Sequence, residues 1–157
     1  MNTKVINFHT KQNIHLTAPM KRFEFLPHTA DVKFLAYGKT LEEAFANAAL
    51  ATFQVMSTKK IAPTIKKRIS TTAHDYHGLL CSFLEELLFL LDTKDFFLST
   101  VTVSIEQKDD SLFLQAEVKG DNVKKYETHT LVKAITYHEM SIQKQKSTWV
   151  IQVVLDV

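Results

Sequence analysis

The sequence contains a single cysteine, Cys81, and this scarcity excludes two kinds of structure. No disulfide can form within the chain, and a cysteine-based zinc cluster cannot be built. Cys81 lies in an apolar run, where a buried and chemically quiet thiol is the expected state. Glycine is also rare, because only three occur and none forms a Gly-x-Gly-x-x-Gly or Gly-x-x-x-x-Gly-Lys loop. A mononucleotide-binding domain is therefore not expected.

Long apolar runs and a strong charge imbalance are missing as well. No stretch reaches the ~18 consecutive apolar residues of a membrane span, and the N-terminus has no continuous apolar segment of the kind that secretory signals contain. The formal net charge is only +2, so nothing in the overall charge demands a nucleic-acid or membrane partner. Together these absences predict a soluble, cytoplasmic protein with no membrane partner.

The length and the patterning predict one folded domain. The chain has 157 residues, of which 45% are hydrophobic, and this suffices for a core of its own. Residues 1–19 are polar, lack a sustained period and end in a proline, so we expect a poorly ordered N-terminal extension. Residues 20–157 carry the patterned segments and form the predicted domain. Met20 directly precedes the first patterned segment and is an alternative start to Met1.

Hydrophobic periodicity predicts two helices and about seven short strands. Thr40 and Glu43 form a capping box at the start of the first helix, and Asp75 is the expected N-cap of the second. We predict helices at residues 40–56 and 75–91, and strands at residues 23–26, 32–37, 65–72, 96–107, 111–119, 133–142 and 149–156. Residues 120–122 should break the pattern. Adjacent hairpins prevail over βαβ units, which indicates an α+β fold with two amphipathic helices packed on a mixed, largely antiparallel sheet.

The candidate functional centre is the turn between the first two predicted strands. Pro27 fixes its own φ and keeps the preceding residue out of the helical region, so the chain should turn at His28 and Thr29. Asp31 then opens the next strand. On this local pattern alone, such an aspartate is more often a hydrogen-bonding turn residue than a ligand.

The end of the sequence offers a second group of oxygen ligands. The last predicted strand stops at Asp156 and Val157 without a polar tail. If this strand lies beside residues 32–37, Asp31 joins Asp156 and the α-carboxylate of Val157. Three negative groups so close together repel one another, and a hard divalent cation such as Ca²⁺ or Mg²⁺ would relieve that repulsion.

A run of basic residues without any acid surrounds Pro63. The simpler interpretation of this run is a face exposed to solvent. The run is also the best candidate in the sequence for a contact with RNA phosphate or an acidic partner. The run comprises Lys59, Lys60, Lys66, Lys67 and Arg68.

Several segments together resemble the archease family. They are Pro-His-Thr-Ala-Asp at residues 27–31, Gly-Lys-Thr-Leu-Glu-Glu-Ala-Phe at 38–45, Leu-Leu at 79–80 with Glu-Leu-Leu at 86–88, Val-Lys-Ala-Ile-Thr-Tyr-His at 132–138, and the terminal Asp-Val. The resemblance runs from about Met20 to the end, and the first and fourth segments are its most specific parts. Phe83 stands where many members carry Trp, which we interpret as a core substitution.

The resemblance implies a protein that is not itself an enzyme. Archease-like proteins are accessory factors of the GTP-dependent tRNA-splicing RNA ligase, which joins 3′-phosphate or cyclic-phosphate RNA ends to 5′-hydroxyl ends. They promote guanylylation of the ligase and multiple turnover, so any contact with RNA would be indirect. The metal-binding acids of the family correspond to Asp31, Asp156 and the carboxylate of Val157, and its functional lysine corresponds to Lys133. The implied cofactor is calcium, with magnesium or manganese as alternative working ions.

Two other classes of function stay open from the residues themselves. A metal-dependent phosphohydrolase would use the same acids to activate water, although no general base is evident beside them. An RNA-binding or chaperone-like module would use the basic run and would bind in a salt-sensitive manner. Without the family resemblance, Lys133 would be interpreted as a solubilising strand-edge residue, and His28 and His138 as structural hydrogen-bonding residues.

Overall fold

The computed structural model describes residues 20–157, so the prediction for residues 1–19 lies outside the described part of the chain. The strands are β1 (Phe23–Leu26), β2 (Val32–Gly38), β3 (Ile65–Ala73), β4 (Phe96–Lys108), β5 (Ser111–Asn122), β6 (Ala134–Gln145) and β7 (Thr148–Asp156). Helix α1 (Leu41–Met56) follows β2, and helix α2 (Tyr76–Lys94) follows β3. The predicted α+β class is confirmed, and the predicted boundaries agree with these to within three residues.

The seven strands form two sheets rather than one. The first sheet has the order β1-β2-β7-β6, and the second has the order β3-β5-β4. Each of the described strand pairings is antiparallel. The chain begins the first sheet, builds the second, and then returns, so that the last strand inserts beside β2. This return brings the end of the chain next to the turn that precedes β2.

Both helices begin at the predicted caps. The Thr40 hydroxyl accepts a hydrogen bond from the amide of Glu43 at 3.1 Å, and the Asp75 carboxylate accepts one from the amide of Gly78 at 2.7 Å. Helix α2 runs three residues beyond the predicted end at residue 91 and stops at Asp95, whose backbone is left-handed. Within residues 20–157, neither helix combines the length and hydropathy that a bilayer span requires.

The core lies where the helices pack on the sheets. The rings of Phe45 on α1 and Phe83 on α2 stack with centroids 6.4 Å apart, and the ring of Phe53 meets that of Phe97 edge to face at 5.1 Å. Each fully buried side chain of this size contributes roughly 1.5–3 kcal/mol to stability. Phe83 is therefore a core residue. Cys81 is also buried, and burial raises the pKa of its thiol to about 11, with a further contribution from a hydrogen bond to Glu85.

The predicted break at residues 120–122 is wrong, because β5 continues through Asn122. Opposite Gly120, strand β4 is irregular between Leu98 and Thr100. The two strands approach so closely there that a Cβ on Gly120 would clash with the carbonyl oxygen of Phe97. Glycine therefore permits a close approach of two strands at this position instead of ending one of them.

Candidate metal centre

Three neighbouring strands of the first sheet bring the predicted site residues to one end. Strand β2 pairs with β7 so that Val32 lies opposite Leu155. On the other side of β7, Ala134 of β6 lies opposite Asp156. Continuing the first register by one residue places Asp31 opposite Asp156, and Lys133 directly precedes β6. The neighbouring strands that the metal hypothesis requires are therefore present.

The last two residues are held against the fold. The backbone amide of Lys133 donates a hydrogen bond to the carbonyl oxygen of Asp156 at 2.7 Å. The side chain of Val157 is half-buried and packs against the hydrophobic core. Asp31 is half-buried, and Asp156 is exposed. The end of β7 is consequently fixed against the residue that precedes β6.

These residues fit a hard divalent cation. Directly opposed residues on antiparallel strands have Cβ atoms about 4.5–5.5 Å apart, so the carboxylates of Asp31 and Asp156 can reach one ion. Carboxylate oxygens are the ligands that Ca²⁺ and Mg²⁺ prefer. Within residues 20–157, no three His, Cys, Asp or Glu side chains are grouped as a metal site. The third donor expected here from the sequence is the α-carboxylate of Val157.

Lys133 lies beside this centre, at a groove between α2 and β6. The groove has a volume of about 230 Å³ and is also lined by Glu85, Phe89 and Asp92. In the part of the chain that the structure describes, Lys133 is exposed and forms no ion pair within 4.0 Å. Its ammonium group is therefore available to a negatively charged partner.

A second cavity, of about 340 Å³, lies on the other side of Asp31. Its lining is mostly apolar, with polar groups from His28, Asp31 and Thr130. The Nε2 atom of His28 lies 3.3 Å from the Oε2 atom of Glu139 on β6. The sequence does not indicate a role for Glu139, because nothing in its local pattern distinguishes it from an exposed strand residue.

The basic residues do not form one surface. Lys59 and Lys60 follow the end of α1 and line, with Arg22, a groove of about 330 Å³ beside β4. The other three lie on β3, which is an edge strand of the second sheet. Alternation along β3 leaves Lys66 and Arg68 exposed and Lys67 half-buried. The ammonium group of Lys66 lies 3.2 Å from the carboxylate of Glu117, so part of this charge is already compensated.

Two curated relatives match the chain along their whole length. The protein archease of Sulfolobus acidocaldarius is 40% identical over 139 residues, which cover 88% of this chain and 100% of the relative. The protein archease of Methanothermobacter thermautotrophicus is 41% identical over 140 residues, with the same two coverages.

Two solved structures share the fold. The solution structure of Methanobacterium thermoautotrophicum protein 1598 has a TM-score of 0.76 at 41% identity and covers 88% of this chain and 100% of its own. A crystal structure from Thermotoga maritima, described as an archease and possible chaperone, has a TM-score of 0.57 at 18% identity. It covers 89% of this chain and 99% of its own. Residues 23–157 also match the model of the Archease protein family. The chain therefore belongs to the archease family.

Proposed function

We propose that this protein activates a GTP-dependent tRNA-splicing RNA ligase through a divalent ion held by Asp31, Asp156 and the α-carboxylate of Val157. The observation that carries the proposal is the strand register that brings these three groups and Lys133 to one end of the first sheet. Membership of the archease family supports it. In this role the protein is an accessory factor and not an enzyme, and it promotes guanylylation of the ligase and its multiple turnover.

Each residue has a defined part in this proposal. Asp31 and Asp156 supply charged oxygen ligands from two adjacent strands, and the packing of Val157 fixes the direction of the terminal carboxylate. A divalent ion held by these residues would supply positive charge for binding nucleotide phosphates. Lys133 adds a second positive charge and offsets negative charge that develops on those phosphates.

Exposed apolar side chains next to Lys133 favour a protein partner at this end. Leu131 is 69% exposed and Phe89 is 56% exposed, and Phe89 lines the same groove as Lys133. Aromatic and aliphatic side chains without charge are typical of the buried centre of protein interfaces. Contact with RNA then occurs through the ligase. The groove that Lys59 and Lys60 line is not needed for this mode of action.

Multiple-turnover RNA ligation by the matching ligase tests the proposal. With this protein present below the ligase concentration, we expect the native chain to accelerate ligation and Asp31→Ala to fail. Glu106→Ala, which removes an exposed acid from β4 in the second sheet, serves as the matched control and should act like the native chain. Acceleration by Asp31→Ala would exclude the acidic site, and no acceleration by the native chain would refute the proposed activity. Turnover of a phosphoester panel by the native chain would instead support a phosphohydrolase.

Lys133→Ala is expected to separate activation from metal binding. Loss of one hydrogen bond to a charged group costs about 1.5–3 kcal/mol, so activation of the ligase should fall by about tenfold or more. The metal affinity and the Tm should stay at the native values, because Lys133 is exposed and forms no ion pair within residues 20–157. Ligation assays and calcium calorimetry on the same samples measure both. Equal loss of metal binding and activation would contradict the separate role.

A further inference from the structure

Strand β6 is irregular directly beside the candidate metal centre. Thr136 pairs with Val154, and the next pair is Ser141 with Gln152, so β6 advances five residues while β7 advances two. The intervening residues 137–140 leave the regular ladder. Glu139 among them has a φ of 55°, which is a left-handed conformation that residues with a side chain rarely adopt.

Contacts to the first sheet maintain this bulge. The side-chain amide of Gln152 donates a hydrogen bond to the carbonyl oxygen of Glu139 at 2.8 Å. A left-handed backbone persists in a residue other than glycine only where its surroundings impose it, and bulges commonly redirect a side chain. Continuing the pairing of Thr136 with Val154 without a bulge would place Glu139 opposite Ile151, whose side chain is buried. With the bulge, the carboxylate of Glu139 instead reaches the ammonium group of Lys33, a residue of β2.

The Glu139 carboxylate contacts both flanks of Asp31. Its Oε2 atom lies 3.3 Å from Nε2 of His28, three residues before Asp31, and 3.4 Å from Nζ of Lys33, two residues after it. Both partner side chains are only 19% exposed, so these contacts are shielded better than an ordinary surface ion pair. Partial burial alone would raise the pKa of Glu139, but the charge of Lys33 and the hydrogen bonds from Lys33 and His28 outweigh it, and the pKa is lowered.

The contact with Glu139 is the polar contact that holds the imidazole ring of His28 in place. Its Nδ1 atom is buried and has no hydrogen-bond partner within residues 20–157. When Nε2 donates its hydrogen to Glu139, the neutral ring keeps its lone pair on Nδ1. His28 and Asp31 also line the same cavity, so a shift of the imidazole ring would change the surroundings of Asp31.

We propose that Glu139 is a positioning residue for the metal centre. It holds His28 and Lys33 together, and thereby fixes the turn that presents Asp31 opposite Asp156. It sets the affinity for the divalent ion without being a ligand. This inference rests on the metal site described under the proposed function. The competing interpretation is an ion pair that stabilises the bulge alone, and a readout at Asp31 distinguishes the two.

Calcium calorimetry and amide hydrogen exchange on Glu139→Gln test the inference. The calcium Kd should rise about tenfold, as for other residues that orient a metal ligand, and the amides of residues 29–31 should exchange faster in the metal-free protein. Glu117→Gln is the matched control, because it removes a carboxylate that pairs with Lys66 at 3.2 Å in the second sheet. This control should leave both quantities unchanged. Lys33→Gln removes the same ion pair from the other side and should act in the same direction as Glu139→Gln.

The outcomes separate this inference from the metal site itself. Weaker calcium binding together with faster exchange at residues 29–31 supports it. Native calcium affinity in Glu139→Gln overturns it, whatever the exchange rates, because Glu139 would then act on the bulge alone. If the native chain binds no calcium, the metal site of the proposed function is refuted as well. That result differs visibly from a loss confined to the variants.

Discussion

Replacing Asp121 with asparagine is expected to lower the Tm by about 10 °C, as loss of hydrogen bonds to a charged group does in a domain of this size. Asp121 is 3% exposed, and it is one of the few buried polar residues in the described part of the chain. Its carboxylate accepts four hydrogen bonds: from Tyr126 at 2.7 Å, the amide of Asn122 at 2.8 Å, Thr64 at 2.9 Å and Lys125 at 3.2 Å. An amide cannot accept from all four donors.

The same variant should also change how stability depends on pH. Hydrogen bonds from Tyr126 and then from the Asn122 amide hold the pKa of Asp121 well below its ordinary value. The folded pKa is thus below the unfolded one, so the carboxylate stabilises the fold above the unfolded pKa of about 3.9. That contribution is lost as the pH falls through the folded pKa. The Tm difference between native and Asp121→Asn should therefore shrink from about pH 4 downward.

Thermal unfolding followed by circular dichroism at a series of pH values measures both effects. Glu117→Gln is a suitable control, because it removes a surface carboxylate from the same strand and should change the Tm by only a degree or two. A Tm difference that stays constant down to low pH would contradict the role given to the Asp121 charge. An unchanged Tm at neutral pH would contradict the network as a whole.

Asp121 also matters for the site because it anchors the connection that leads to Lys133. Tyr126, which donates to Asp121, accepts a hydrogen bond from the amide of Ala62 at 3.0 Å. Three residues later, the amide of His129 donates to the carbonyl oxygen of Met56 at 2.9 Å. This connection, residues 123–133, has no strand of its own. Its path to Lys133 is therefore set by hydrogen bonds to the second sheet, to the segment that precedes β3, and to the end of α1.

The candidate metal centre could be predicted from the sequence only in outline. The pattern around Asp31 predicts the turn and the strand that follows it. The last two residues of the sequence, Asp156 and Val157, are predicted as the other ligands. Asp31 comes close to Asp156 and Val157 only if the last strand lies beside residues 32–37. Strand neighbours are set by non-local packing, which a local hydrophobic pattern does not contain. The structure supplies this pairing in the register of Val32 with Leu155.

Other features could not be predicted because their causes lie elsewhere in the chain. The sequence of β6 has no glycine, so nothing local indicated a bulge at Glu139. The bulge is held by Gln152, His28 and Lys33, all of which are distant in sequence. Gly120 shows the opposite error. Residues 120–122 are predicted to break the strand pattern. In the structure, β5 approaches the irregular part of β4 so closely at Gly120 that glycine is suited to this position within the strand.

The double variant Asp31→Asn, Asp156→Asn is expected to lose calcium binding, with a rise in Kd of about 100-fold or more. Calcium affinity in proteins is tuned over several orders of magnitude by the number of charged ligands, and this variant removes two of the three proposed here. Asparagine keeps the shape and one oxygen of each side chain. A loss of affinity would therefore be caused by the lost charge and not by a collapsed site.

The double variant should also change which of the two chains is the more stable, depending on whether calcium is present. Without a cation, the three carboxylates repel one another, so the variant should be at least as stable as the native chain in chelator. With calcium at ~100 times the native Kd, the native chain gains about 2.7 kcal/mol, or about 5–10 °C in Tm, and the variant gains about 0.4 kcal/mol or less. The order of the two Tm values should consequently invert between chelator and calcium.

Thermal unfolding of both chains in chelator and in calcium measures this inversion. The double variant Glu106→Gln, Glu117→Gln removes one exposed and one half-buried carboxylate from the second sheet and should keep the full native response to calcium. A calcium-dependent gain in the Tm of Asp31→Asn, Asp156→Asn as large as the native one would place the ion elsewhere. A native Tm that does not change with calcium, magnesium or manganese would exclude the cation. The three carboxylates at the start of β2 and the end of β7 would then need a positively charged side chain of a partner to compensate their charge.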